Sequence, residues 1–149
     1  MCIRDRYNSD GAKQWTKQLG TASEDVAYGL TVDSDGYIYL TGYTKGNPWN
    51  LTGNPDNETN SGNTDAFLLK HYDNSSQTPH WTILLGTTSA EVGRSVTVDS
   101  TNLYLIGDNS STSGDYDAFL AKYSSSGDDP SNTPTWDRNM KTSSGEYGY

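Results

Sequence analysis

Apolar and polar residues along this chain follow one another in short alternating runs, and no stretch of ten residues or more carries a helical spacing. The runs are rich in Val, Ile, Leu, Tyr, Phe and Thr. They are bounded by Gly, Asp, Asn and Ser, as short β-strands between tight turns are. Four kinds of run occur. The first is Val26–Val32, which returns at Val92–Val98, and the second is Tyr37–Tyr43, which returns at Leu103–Gly107. The third is Ala66–Tyr72 and again Ala118–Tyr123. The fourth is Trp15–Leu19, then Trp81–Leu85 and, in weaker form, Trp136–Met140. Between the first two kinds lies Asp33-Ser34-Asp35-Gly36, an Asp-Gly hairpin signal. Its counterpart begins Asp99-Ser100-Thr101-Asn102; the connection is one residue shorter, Asp99 to Gly107 spanning 8 positions against 9 from Asp33 to Gly42, and it carries Asn, which tolerates a left-handed backbone.

The runs also share their wording. DAFLLKHY at Asp65–Tyr72 becomes DAFLAKY at Asp117–Tyr123, and WTKQLG at Trp15–Gly20 becomes WTILLG at Trp81–Gly86. VAYGLTVDSDGYIYLTG at Val26–Gly42 becomes VGRSVTVDSTNLYLIG at Val92–Gly107. Trp15 to Gly42 spans 27 positions and Trp81 to Gly107 spans 26, whereas Gly42 to Asp65 spans 23 and Gly107 to Asp117 only 10. Paired strands resist insertion and surface loops accept it, so a fixed frame with elastic joints is a repeated set of strands. The repeat positions Trp15, Trp81, Trp136, Gly20, Gly86, Asp33, Asp99, Gly42, Gly107, Asp65, Asp117, Phe67 and Phe119 are therefore assigned to architecture.

Four short strands per unit is the signature of a β-propeller blade, which predicts an all-β propeller fold. The copies resemble the bacterial β-propeller repeat family (SBBP repeats), whose pattern runs D-x-F-x-x-K-Y, W-x-x-x-x-G, then Y-G-x-x-V-D-x-x-G-x-x-Y-x-T-G. Asp65, Phe67, Lys70, Tyr72, Trp81 and Gly86 match it in one copy; Tyr28, Gly29, Val32, Asp33, Gly36, Tyr39, Thr41 and Gly42 match it in another. The resemblance implies residues 1–25 as the end of one blade, 26–86 as a blade with a long 45–64 insertion, 92–140 as a second blade, and 146–149 as the start of the next. It makes the remaining blades of the same propeller the first expected partner, and the chain a fragment of a larger repeat domain. Met1–Arg6 fills the slot held elsewhere by DAFLAK but breaks the strand alternation with Arg4, Asp5 and Arg6. That string resembles a translated sequencing adaptor, so Met1–Arg6 is expected to be foreign to the native protein and Cys2 to carry no function.

Composition changes the picture in two ways. Leu, Ile, Val and Phe supply only 22 of 149 residues and the net charge is −9, which by itself reads as disorder. The 11 Tyr and 4 Trp reverse that reading, because aromatics at fixed strand positions supply large buried areas. With 10 basic against 19 acidic residues there is no basic stripe to replace counterions, so no nucleic-acid partner is expected. No apolar run approaches the length of a membrane span. The Thr-, Ser-, Asn-, Gly- and Tyr-rich character suits a secreted or cell-surface bacterial protein.

Candidate chemistry is sparse. Asp33 and Asp35 lack the later oxygen ligands of a calcium loop, and Thr101 replaces Asp35 in the second copy, so a turn is preferred over a metal site. His71 and His80 have no partner at metal or triad spacing, and no nucleophile elbow, zinc-protease or phosphate-loop motif occurs. No catalytic residue, metal or cofactor is assigned. The Lys45–Thr64 insertion carries Trp49 between Pro48 and Pro55, and the propeller analogy brings it to the face shared with Thr21–Asp25 and Thr87–Glu91. Trp49 with Glu24, Asp25 and Glu91 is the candidate binding surface, a stacking ring beside acceptors suited to a glycan or protein partner. The expected role is a non-catalytic module for binding, adhesion or scaffolding. The competing class is an enzyme, such as a quinoprotein dehydrogenase or a glycan-cleaving propeller, with its active residues on other blades.

Overall fold

The computed structural model describes residues 2–47, 60–61, 63–72, 80–110, 116–125 and 134–140. Among the described residues ten strands form three antiparallel sheets, one a hairpin and two simple four-stranded meanders. A two-stranded sheet pairs β1 (Cys2–Tyr7) with β2 (Lys13–Leu19). The first four-stranded sheet orders β3 (Asp25–Val32), β4 (Tyr37–Thr44), β5 (Asp65–Tyr72) and β6 (Trp81–Leu85). The second orders β7 (Ala90–Asp99), β8 (Asn102–Ser110), β9 (Tyr116–Ser124) and β10 (Trp136–Met140). The predicted all-β architecture of four-stranded antiparallel units is the observed one. Cys2–Tyr7 forms a strand although its side chains break the expected alternation. A ladder is built from main-chain groups that every non-proline residue carries, and β1 pairs with β2 along its length.

In each four-stranded sheet the hairpin between the first two strands is closed by its leading aspartate. Asp33 Oδ1 accepts from the backbone N–H of Asp35 at 3.0 Å and of Tyr37 at 2.8 Å, and Asp33 Oδ2 accepts from the Tyr39 hydroxyl at 2.9 Å. Gly36 follows at φ +85°, a left-handed conformation that glycine adopts without a side-chain clash. Asp99 repeats the arrangement, accepting from Thr101 N–H, from Asn102 Nδ2 at 3.2 Å and from the Tyr104 hydroxyl at 3.2 Å. The D-x-x-x-x-x-Y and D-x-x-x-x-Y spacings are thus turn chemistry, and the aspartate oxygens are occupied by the chain itself.

The two large sheets stack face to face through β7, which packs against β3, β4 and β5. The core lies between them. Tyr39, Ala66, Leu68, Trp81 and Ile83 from the first sheet meet Val96, Leu103, Leu105, Phe119, Ala121 and Tyr123 from the second. The first sheet buries its other face too, through Ile38, Leu40, Phe67, Leu69 and Leu84, as the period-two alternation of side chains requires. Each fully buried large side chain contributes about 1.5–3 kcal/mol relative to exposure. Lys70 lies in the interface at 4% exposure. Its ammonium sits 4.1 Å from the Tyr37 ring centroid, and it donates to the Ser125 carbonyl at 3.1 Å, bridging the sheets.

The corresponding face of the second sheet is open. Tyr104, Ile106, Leu120 and Lys122 occupy the repeat positions of Tyr39, Thr41, Leu68 and Lys70, yet Ile106 is 43% exposed where Thr41 is buried. Lys122 even keeps the lysine-over-tyrosine contact, 5.7 Å from the Tyr104 centroid. One face of each unit is therefore built to cover the opposite face of its neighbour, a head-to-tail arrangement.

Candidate functional site

At one end of the stack lie the start of β3, the end of β4, the start of β5, the end of β6 and the start of β7, with the loops joining them. Three carboxylates tie this end together. Asp25 accepts from the Thr21 N–H at 2.7 Å and from the Thr44 hydroxyl at 2.6 Å. Glu91 accepts from the Thr87 N–H at 2.9 Å and from the Thr87 hydroxyl. Asp65 accepts from the Ser61 N–H at 2.9 Å. In all three a hydroxyl residue stands four positions before the acid, and the acid turns back to satisfy the loop's N–H groups. The start of β7 is also joined to the residue before β5 by a bond from Glu91 N–H to the Thr64 carbonyl, 2.8 Å.

These latches alter the sequence-based candidate surface. Asp25 and Glu91 are each 5% exposed and engaged within the loops, so they do not offer free acceptors to a ligand. Of the candidate acids Glu24, Asp25 and Glu91, only Glu24 faces solvent. Trp49 and most of the Lys45–Thr64 insertion lie outside the described residues. The repeated hydroxyl-to-acid spacing at Thr21/Asp25, Ser61/Asp65 and Thr87/Glu91 is the sequence signal for the buried role.

Trp81, one of the repeat tryptophans, is 4% exposed and packs beside Tyr39 with ring centroids 6.1 Å apart. Trp15 is half-buried. Trp136 pairs through its backbone with Lys122, and its side chain lies outside the described set. Phe67 and Phe119 are buried on successive interfaces. A side chain at Gly86 would run into the Asp65 carboxylate, so the close approach there requires glycine. Gly20 is half-buried, Gly42 and Gly107 are buried in β4 and β8, and Asp117 lies half-buried in β9.

Glu24 leads to a second constellation that the sequence reading did not single out. It accepts from the Tyr43 hydroxyl and pairs with Lys45 at 3.2 Å. These two contacts hold the Glu24 carboxyl below its ordinary range, the phenol contact contributing most. The same bond to Glu24, aided by desolvation, pushes the Tyr43 phenol up to about 12. Tyr43 is tilted against Tyr28, centroids 6.0 Å apart, and the Arg94 guanidinium lies 5.1 Å from the Tyr28 centroid. Arg94 in turn forks onto Asp108 through Nε and, at 3.1 Å, through Nη2, which raises the guanidinium further above its usual range. Tyr28 and Arg94 are the extra residues of two β-bulges, one between Ala27 and Gly29 on β3 and one between Gly93 and Ser95 on β7. Bulges redirect side chains that regular pairing would place elsewhere. Tyr28 and Arg94 occupy one repeat position, as do Tyr43 and Asp108. In the second copy Arg94 and Asp108 depart from the Tyr28 of the repeat pattern and from Tyr43.

At the opposite end a cleft of about 510 Å³ opens between the two hairpins, lined by Asp33, Asp35, Tyr37, Lys70, Asp99 and Ser125 among others. Its Asp33 and Asp99 carboxylates close their own turns and its Lys70 bridges the sheets, so these groups already serve the fold. Among the described residues no three His, Cys, Asp or Glu side chains come together to hold a metal ion. Among the same residues no helix is long and apolar enough to cross a membrane.

Residues 14–49 match the family model described as the SBBP beta-propeller repeat. That stretch contains most of β2, all of β3 and β4, and the Asp33 hairpin. No curated protein matches the chain significantly.

Proposed function

We propose that this chain, which carries a β-propeller repeat, serves as a non-catalytic binding, adhesion or scaffolding module of a secreted or cell-surface protein. The observation that carries the reading is the loop end of the stack. Its buried acids, Asp25, Asp65 and Glu91, are used to fix loop backbone, which favours a rigid presenting surface over a reactive one. An acid–base pair would need carboxyl groups free to exchange protons with a substrate. The partners proposed are surface glycans or proteins at the loop end, and further repeats on the open face of the second sheet. That face supports the second proposal because it repeats the residues that the first sheet buries: Tyr104 for Tyr39, Leu120 for Leu68 and Lys122 for Lys70.

Screening the full chain against a polysaccharide array and a panel of surface proteins tests the reading. Saturable binding without turnover is expected, and Trp49→Ala is expected to weaken it if the long insertion takes part. Release of hydrolysed or oxidised product by the purified chain would replace the reading with the enzymatic one.

A further inference from the structure

We infer that Tyr28, Tyr43 and Arg94 form a saccharide-binding platform for a neutral oligosaccharide. This rests on the binding-module reading and assigns that reading a site and a ligand class.

The first support is the way the groups are placed. Two bulges at equivalent positions of β3 and β7 bring a tyrosine and an arginine from different sheets into contact. Gly29 and Ser95 allow the approach, because a side-chain carbon at Gly29 would lie only 2.9 Å from the Ser95 Cα. The second support is exposure. Tyr28 is 50% exposed and the Arg94 side chain 51%, although both are held by neighbours. An exposed aromatic ring fixed on two sides is preorganised for stacking and loses little freedom when a ligand arrives.

The third support is the charge pattern, which selects the ligand class. Arg94 is neutralised by Asp108, and Glu24 by Lys45. An anionic ligand would have to compete with Asp108, and a cationic one with Lys45 for the Glu24 carboxylate. A neutral polyol faces neither contest. Its apolar ring face can cover the tyrosines, while its hydroxyls use the Arg94 N–H groups left over from the fork to Asp108 and the contact with Tyr28, and the open lone pairs of Asp108 and Glu24. The fourth support is that Arg94 and Asp108 stand in the second copy where the first has Tyr28, a recurring tyrosine, and Tyr43, so the ion pair that fixes the ring is not required by the repeated frame.

The test titrates the isotope-labelled full chain with cellohexaose, maltohexaose, xylohexaose and chitohexaose, with hexagalacturonate as the anionic comparison, and follows backbone and Tyr ring resonances. At least one neutral hexamer is expected to shift Tyr28, Tyr43 and Arg94 saturably, with hexagalacturonate weaker. Tyr28→Ala is expected to weaken binding by about tenfold, equivalent to about 1.4 kcal/mol. Arg94→Lys, which keeps the charge but not the fork, is expected to weaken it by a smaller factor. Circular dichroism and the thermal midpoint of each variant establish that it is folded. Three results would each overturn the platform: no neutral hexamer shifts these residues, hexagalacturonate binds more tightly than every neutral hexamer, or Tyr28→Ala binds as the parent does. Binding to a protein or at Trp49 with these residues unmoved would leave the module reading standing and remove only this site.

Discussion

Glu24 and Tyr43 illustrate how little separates a structural acid from a functional one in this chain. Asp25, the next residue, is buried and spent on Thr21 and Thr44, whereas Glu24 stays in solvent and draws Tyr43 and Lys45 to it. Because Glu24 titrates below its ordinary value of 4.5 in the folded chain, it contributes stability that is fully present above that value. The contribution is lost as pH falls through the lower folded value. Urea midpoints measured at neutral pH and near pH 3 should therefore differ less in Glu24→Gln than in the parent. An identical acid loss in both would show that the contacts to Tyr43 and Lys45 do not act on stability. Tyr43 behaves in the opposite sense, its share being present below an ordinary value of 10.0 and lost as pH rises toward about 12. The hairpin roles of Asp33 and Asp99 were legible from spacing, since a turn aspartate bonds locally. The burial of Asp25 and Glu91 was not, because it depends on loops folding back over them. Only the recurring hydroxyl four residues earlier hints at it.

Strands were more legible than side-chain roles. Every predicted run became a strand, because period-two alternation and turn residues act locally. Most observed strands reach one or more residues past the predicted runs, as at Asp25, Thr44, Ala90 and Ser110, where main-chain pairing continues beyond the apolar residues. The two bulges escaped notice, since an extra residue in a strand leaves no apolar signature of its own. Their neighbours set how closely the sheets approach. A side chain at Gly29 would meet the Ser95 Cα and the Val96 nitrogen at 2.9 and 3.0 Å, and these are backbone atoms that cannot turn aside. Gly29→Val is therefore expected to lower stability by about 1–3 kcal/mol, as overpacking does, and to loosen β3 from β7. A thermal midpoint equal to the parent's would mean that the sheets are not in contact there.

Two four-stranded sheets stacked head to tail account for the larger buried cluster among the described residues. The first sheet is covered on both faces, the second on one. The repeated sequence foretold two like units of four strands each. It could not foretell that Lys70 would cross the interface to the Ser125 carbonyl, which is a contact between residues 55 positions apart. Nor could it place a binding surface from repetition alone, since repetition reports packing and the platform joins the recurring Tyr28 to Tyr43 and Arg94, which differ from their counterparts. Hydrogen exchange along the full chain examines the stacked arrangement most directly. Amides of β4 and β5, paired on both sides within a sheet buried on both faces, should exchange slowest. Those of β8 and β9 should be intermediate, and those of β1 and β10 fastest. Lys70→Ala should speed exchange in β7 to β9 while leaving β1 unchanged. Uniformly fast exchange, or equal protection of β5 and β10, would contradict the stacked-sheet account.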